Sequence, residues 1–522
     1  MYIPNLLRNS PLFYMEEIEK WFKVKRYPHI GLPITIRDYG RVREYVNNSS
    51  KIAKHSFLPL INKSILKRRY RANKTLKKLT PTRKRERIKD KPKVRDTYFA
   101  SHIDAMIFSK YSYFLTDKYE KFVEKMPFND SIVAYRQIAI VKGAKGNKCN
   151  IDFAKTAFEF IKYSDQENLT VIVADITSFF DNLDHKILKK NWARVLDNIT
   201  LPPDHYNVFK ALIKIKYVVA QQLFDFYNQT MIVERGVVNS DVKKEFKRKK
   251  INNLRFAKEK KAVAYCEKDE FLAKNLSLII SKNNKTGIPQ GSPISATLAN
   301  IYMLDFDSRV YQEISNIGGF YQRYSDDIII VCKQEDENVA INLIRDAIKS
   351  NEVKLIVEPD KTKVYHFEKR GGDFLGFAIN EITKNPIYGK HLEYLGFSFD
   401  GKRVLIKSGG FAKFYRSMKG SFNRAVDYAL NSKNPDKSLF MGKLYKRFTF
   451  KGANRKLIYR PSKLDPKVFE ASRTYYWGNY LSYVYKANET LKALNGNDAV
   501  KKQSRKFWNK FSSLSKLAKS KL

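Results

Sequence analysis

The chain has 522 residues, with 99 Lys+Arg against 53 Asp+Glu and a formal charge of +46. Hydrophobic residues at 43% and aromatics at 14% exclude wholesale disorder, because there is ample apolar surface to bury, and the length fits about two to four domains. So large a positive surplus makes a polyanion the expected partner, nucleic acid first and an anionic membrane surface second.

The opening MYIPNLLRNSPLF lacks the basic-then-apolar layout of a signal peptide. No stretch approaches ~18 uninterrupted apolar residues, so no membrane span is expected. Cys149, Cys266 and Cys332 are scattered, with no C-x-x-C. That argues against a disulfide framework or a Cys-type zinc site and fits a reducing cytoplasm.

In chain order, residues 1–90 read as a basic, mostly helical extension with a break at Tyr27–Pro33 and further breaks at Pro81 and Pro92. The spacing of Met106, Ile107, Tyr111, Phe114 and Leu115 predicts a helix over Asp104–Phe122. Val171–Ala174 is a short β-branched run, the pattern of a buried strand. Ser295–Val310 reads as one helix, and Phe320–Lys333 as strand, turn and strand. From about Phe411 the pattern is helical and basic, with breaks at Pro435, Pro461 and Pro466. A Leu-Gly-Phe string occurs twice, at Phe374–Phe377 and Tyr394–Phe397.

The cations are clustered. Lys63–Arg95 holds sixteen Lys/Arg against two acids, Lys243–Lys261 ten against two, and Lys501–Leu522 eight against none. A single run of this kind is often a solvated face. Three of them favour sequence-blind, salt-dependent phosphate contact. The 32 tyrosines and 35 phenylalanines include candidate stacking platforms for single strands.

Three segments carry chemistry. Asp175 ends the Val-Ile-Val-Ala run, so its carboxylate stands at the carboxyl end of a rigid strand. Tyr324-Ser325-Asp326-Asp327 sits between two apolar arms. Adjacent aspartates at a hairpin tip repel each other unless a cation such as Mg²⁺ is held there. Gly287-Ile-Pro-Gln-Gly-Ser-Pro-Ile-Ser leads into a helix, fixing a tight backbone that a ligand can approach closely, with Ser292 or Ser295 as the expected cap.

In this order the segments resemble motifs A, B and C of a reverse transcriptase, at Asp175–Asp184, Gly287–Asn300 and Tyr324–Val331. The pattern is similar to bacterial group II intron-like, retron and abortive-infection enzymes over roughly Lys91–Phe397. It is most like the defence-associated members. The resemblance implies an α+β fold: right-hand fingers and palm with an antiparallel palm sheet at 91–400, interrupted by an insertion at about 191–286. A basic α-helical, thumb-like domain would occupy 401–522.

It implies further that Asp175 and Asp326 ligate two Mg²⁺ ions (or Mn²⁺), with the Ile176 carbonyl assisting and Asp327 close by. Phe180 matches a steric gate against ribose, which points to dNTPs and a DNA product. Gln290 and Gly291 would lie against the nucleotide, Lys361 would act on pyrophosphate, and Arg95 and Arg136 would hold triphosphate. Tyr324, Ser325 and Ser292 would contact primer and template. The primer grip is ambiguous. Spacing from Lys361 favours Phe374–Phe377, whereas the following Ser-Phe-Asp-Gly favours Tyr394, Leu395, Gly396 and Phe397, the preferred copy.

Two positions depart from the group II pattern. Ser295 is followed by Ala296 where Pro is usual, and Ser325 stands where Ala is commoner. Relatives in the defence-associated group can use a dedicated noncoding RNA, form homo-oligomers, and prime on a protein hydroxyl. The expected function is RNA-directed DNA synthesis in antiviral defence in a bacterial cytoplasm. Untemplated DNA synthesis on the same site, or a non-catalytic maturase-like RNA-binding role, are the alternatives.

Overall fold

The structure is a computed structural model that describes residues 18–72, 87–141, 146–234, 245–274, 276–356, 362–380, 382–432, 437–453, 457–461, 469–475 and 478–522. The chain divides into two compact units, each assembled from interleaved segments. One comprises Met1–Asn129, Thr177–Ser308 and Ile348–Leu355; the other comprises Asp130–Ile176, Arg309–Ala347 and Ile356–Leu522. Cuts near residues 90 and 400 therefore describe the order of modules along the chain and not these units.

In the first unit, helices Tyr39–Asn47 and Ser49–Ala53 are followed by two long antiparallel strands, Leu60–Ala72 and Arg87–Phe99. The basic stretch expected as helix is thus largely a β-ribbon. In a helix its cations would stack at i,i+4 spacing, as Lys63, Lys67 and Arg71 would, and repel. An extended strand spreads them at about 3.3 Å per residue. Pro92, which would break a helix, lies on the edge strand where the register slips opposite Lys67–Arg69.

The helix His102–Val123 forms as the spacing predicts, capped by Ser101 Oγ accepting from the Asp104 N–H. The segment expected as an insertion is woven into the N-terminal strands. Ile215–Val219 pairs in parallel with Leu60–Asn62, and Ala262–Cys266 pairs in parallel with His29–Ile30. Strand Phe246–Lys250, from the second basic block, is the exposed edge of that latter sheet. Lysines on an edge discourage strand addition. The expected single helix after residue 295 is two, Ser295–Tyr302 and Leu304–Asn316, separated at Met303.

The second unit is built on a six-stranded antiparallel sheet, ordered Phe320–Tyr324, Asp327–Lys333, Asn168–Asp175, Lys363–Arg370, Asp373–Ile379, Pro386–Ile387. Asn168–Asp175 is flanked on both edges, and its consecutive residues Leu169–Ile172 are all buried, so both faces are covered, which is why its sequence is a near-continuous apolar run rather than an alternation. The sheet's core residues Val171, Ile329 and Phe367, one from each of its three central strands, belong to one cluster with Phe158 and Ile161 of helix Asn150–Lys162.

That cluster continues without interruption into the C-terminal helices Ser408–Leu430, Met441–Phe448, Tyr480–Asn495, Ala499–Gln503 and Lys506–Lys519. A small sheet of Leu392–Tyr394, Phe397–Phe399 and Val404–Ile406 lies between them in sequence. The side-chain amides of Asn495 and Gln503 bond the backbone of Val404 and Ile406 as a further strand would. The C-terminal region, expected as all-helical, also contains a strand pair, Leu457–Pro461 with Phe469–Tyr475. No helix among the described residues is long and apolar enough to cross a membrane.

Candidate active site

Asp175 is half-buried at the end of its strand, and the pairing register sets it directly opposite Asp327. The two-residue turn Ser325–Asp326 joins the paired residues Tyr324 and Asp327. Ser325 adopts φ +62°, a left-handed conformation uncommon for a non-glycine residue. Two ties hold it: its carbonyl accepts from Arg323 at 3.0 Å, and its hydroxyl bonds Tyr135 at 3.2 Å. The Ile176 N–H donates to the Asp326 carbonyl at 3.2 Å, pinning the turn to the end of the Asp175 strand.

Arg323 is wholly buried beneath this acidic turn. The sequence reading missed it, and its one signal was a guanidinium placed inside an apolar strand arm.

Like charges directly opposite on neighbouring strands are destabilising unless something screens them. Asp175 and Asp327, with Asp326 at the turn, therefore fit a divalent cation. Among the described residues no three His, Cys, Asp or Glu side chains are grouped so as to hold a metal ion by themselves. An open carboxylate platform of this kind suits Mg²⁺, which is usually held by one or two carboxylates with substrate phosphates completing its shell.

Tyr324, half-buried beside the pair, has its phenol pKa raised by burial and then by the neighbouring Tyr135, Cys149 and Asp327. Tyr394 is fully buried and donates to Gln322 Oε1 at 3.1 Å. The two Leu-Gly-Phe copies differ in kind. Phe374–Phe377 runs inside a sheet strand, where Gly376 leaves room for the Phe367 ring. Tyr394–Phe397 is a hairpin tip, with Leu395 at φ +44° and Gly396 at φ +91°. Asn150 Nδ2 donates to the Leu395 carbonyl at 3.0 Å. Arg136 donates to the Ile132 carbonyl at 2.9 Å.

The other expected site residues lie in the first unit. Phe180 is half-buried on the short helix Phe179–Asn182, and its carbonyl accepts from Ile288 at 2.9 Å. The Gly287 N–H donates to Leu183 at 2.8 Å, so the glycine-rich loop runs alongside the Phe180 segment. Gly287 and Gly291 have φ of +93° and +108°. A Cβ there would meet the Asp181 carbonyl at 2.7 Å and the Tyr98 carbonyl at 2.9 Å.

The loop is further held by Tyr98 N–H to Gln290 O at 2.9 Å and by Ser295 Oγ to Pro289 O at 2.7 Å. Neither serine caps the following helix, contrary to expectation: Ile294 occupies the cap position with no side-chain bond. Ser295 is already inside the helix and turns back to the loop. The Ser292 hydroxyl is buried without a partner among the described residues.

Asp181 was not anticipated. Burial raises its pKa, opposed by Lys282, assisted by Asp96 and opposed by Arg95. Its Oδ2 receives Gln290 Nε2 at 3.5 Å. Arg95 is thus placed beside the Phe180–Asp181 segment, whereas Arg136 belongs to the other unit. Lys361 lies outside the described residues.

Residues 241–397 match the family described as "Reverse transcriptase (RNA-dependent DNA polymerase)". This segment, under a third of the chain, is thus similar to a reverse transcriptase domain. The match takes in the glycine-rich loop and the Asp326–Asp327 turn, while Asp175 lies upstream of it and joins the site through strand pairing.

No curated protein is significantly similar to the chain. Among solved structures it is similar to telomerase from Candida albicans in complex with a fragment of telomeric RNA, at 14% identity and TM-score 0.37, covering 92% of this chain and 60% of that one. Apo telomerase from Candida tropicalis, truncated from its C-terminal domain, gives 13% and 0.33 over 67% and 60%. The chain thus spans about 60% of the length of these telomerases.

Proposed function

We propose that this protein is a reverse transcriptase that makes DNA from dNTPs on an RNA template. The observation that carries the reading is the register pairing of Asp175 with Asp327, which completes a carboxylate platform around the Asp326 turn. Two Mg²⁺ ions bound there, or Mn²⁺ in their place, would activate the primer hydroxyl and neutralise charge on the transferred phosphoryl group.

The chain's own residues supply position. Asp175, Asp326 and Asp327 would hold the ions, with the Ile176 carbonyl assisting. Phe180 would exclude a ribose 2′-hydroxyl, and Gln290 and Gly291 would line the nucleotide. Arg95, Arg136 and Lys361 would meet the triphosphate and its pyrophosphate product, and Tyr324, Ser325 and Ser292 would contact primer and template. The hairpin tip Tyr394–Phe397 suits a primer grip better than the strand copy, because a turn presents its backbone outward whereas a mid-sheet strand is paired on its edges.

The basic C-terminal region would take the place of a thumb. A dedicated noncoding RNA, self-association and a defence role in a bacterial cytoplasm extend this reading, and the motif strings support them.

The test is incorporation of labelled dNTPs by purified protein with Mg²⁺, beside Asp326→Ala. Synthesis by wild type alone supports catalysis, and equal inactivity of both sinks it. Synthesis that survives RNase pretreatment would favour the untemplated alternative.

A further inference from the structure

A cavity of about 340 Å³ opens among the C-terminal helices, at the small end of the roughly 300–1,000 Å³ usual for ligand pockets. Its floor is apolar, with Phe448, Leu481 and Phe507 all nearly inaccessible. Its mouth is different. Trp508 and Phe450 stand 46% and 55% exposed, with ring centroids 5.8 Å apart and planes inclined at 51°. Trp508 is braced from behind by Phe511, stacked at 5.9 Å and 15°, and by Tyr445 at 6.5 Å. The indole is therefore a fixed shelf rather than a loose surface ring.

Three exposed cations, Lys501, Lys502 and Arg505, share the lining. The one acid there, Asp498, is engaged by Asn488 Nδ2 at 2.7 Å and by Lys492 at 3.7 Å. From Lys501 to the end of the sequence there is no other acid to offset the positive charge.

A rigid aromatic shelf over an apolar floor suits a flat, planar ring, and adjacent cations suit the anions that flank it. Polynucleotide single strands present both at every residue, whereas a duplex keeps its bases stacked inside. An acidic peptide would use the cations but has no general need of the shelf.

We propose that this pocket takes one unstacked base of a single-stranded polynucleotide, with the flanking phosphates on Lys501, Lys502 and Arg505. All of the lining comes from residues 448–508, apart from the carboxylate platform. The proposal therefore stands whether or not the polymerase reading does.

The experiment uses full-length protein carrying Asp326→Ala, so that no synthesis intervenes. Binding of a short labelled oligouridylate and of the matching oligothymidylate is followed by anisotropy over a range of salt. Trp508→Ala is expected to weaken binding roughly 5- to 150-fold, the range for one stacked base, and Trp508→Phe to keep most of it. Changing Lys501, Lys502 and Arg505 to Gln together should flatten the log–log salt slope by about 2, at ~0.7 per phosphate contact.

Photocrosslinking with 4-thiouridine should label the peptides holding Phe450 or Trp508. A loss confined to one oligonucleotide identifies RNA or DNA as the strand bound. Unchanged affinity and slope in both variants, crosslinks that map only outside residues 448–508, or equal competition by duplex would each overturn the proposal.

Discussion

Asp175 and Asp327 face each other across neighbouring antiparallel strands, one register step from the turn that carries Asp326. The flanking residues are locked in a buried sheet: Ala174, Ile328 and Ile329 have essentially no exposure. The two Cα positions therefore cannot move apart without breaking strand pairing, which keeps the two side chains neighbours. A fixed like-charge pair is a cost to the fold that a cation relieves.

This gives a first prediction that needs no activity. Adding Mg²⁺ should raise the melting temperature of wild type more than that of Asp327→Asn. Thermal unfolding of both proteins in EDTA and in Mg²⁺ checks this, and an identical Mg²⁺ response in the two would count against a metal site here.

Phe180 supplies the second. Its backbone is tied to the glycine-rich loop through Ile288, so truncating the side chain leaves the segment's hydrogen bonds in place. Phe180→Ala should lower discrimination against ribonucleotides at least about tenfold, or ~1.4 kcal/mol, with dNTP incorporation less affected. The ratio of kcat/KM for matched dNTP and rNTP substrates measures it.

The third concerns the loop backbone. Gly291→Ala forces a Cβ to within 2.9 Å of the Tyr98 carbonyl at a φ of +108°. It should cost about 1–3 kcal/mol and disturb the Tyr98–Gln290 bond. Gly409→Ala, in open space near the start of helix Ser408–Leu430, should be neutral or slightly stabilising. Denaturant midpoints for the two variants provide the comparison.

The fourth is a pH effect. His29 is fully buried, accepting from Ile30 N–H at Nδ1 and bonding the Phe99 carbonyl through Nε2, which fixes a neutral tautomer. Burial lowers its pKa from 6.5 to about 4, and burial does the same for His102 nearby. The unfolded chain protonates both at ordinary values, so it binds more protons between pH 6.5 and 4. Their contribution is complete above pH 6.5 and is lost as pH falls toward 4, by roughly 3 kcal/mol for His29 alone. Urea unfolding across this window should show the decline, and His102→Asn should make it shallower.

What could be read from the sequence was local. The apolar run before Asp175, the Asp-Asp turn between apolar arms and the glycine-rich loop each announce their backbone through short-range chemistry, and all three formed, though without the expected serine cap after the loop. The Lys63–Arg95 stretch did not, because its composition says only that it is charged. Its strands are fixed by pairing, Leu60–Ala72 with Arg87–Phe99 and Leu60–Asn62 with the distant Ile215–Val219. Asp181 and the Asn495 and Gln503 amides were illegible for the same reason, since their partners come from other parts of the chain.

The sequence by itself determined a strongly basic chain with three acidic residues at two strand ends and a glycine loop between them. Residue type and spacing suffice for that, and the surplus of +46 is fixed by composition. Only the tertiary structure decided that Asp175 stands opposite Asp327, and that the second Leu-Gly-Phe copy is a hairpin tip while the first is mid-strand. It alone placed Trp508 and Phe450 beside three cations. Register, turn geometry and a shared pocket wall depend on which segments pack together, and that is settled by burial over the whole fold rather than by any one stretch of it.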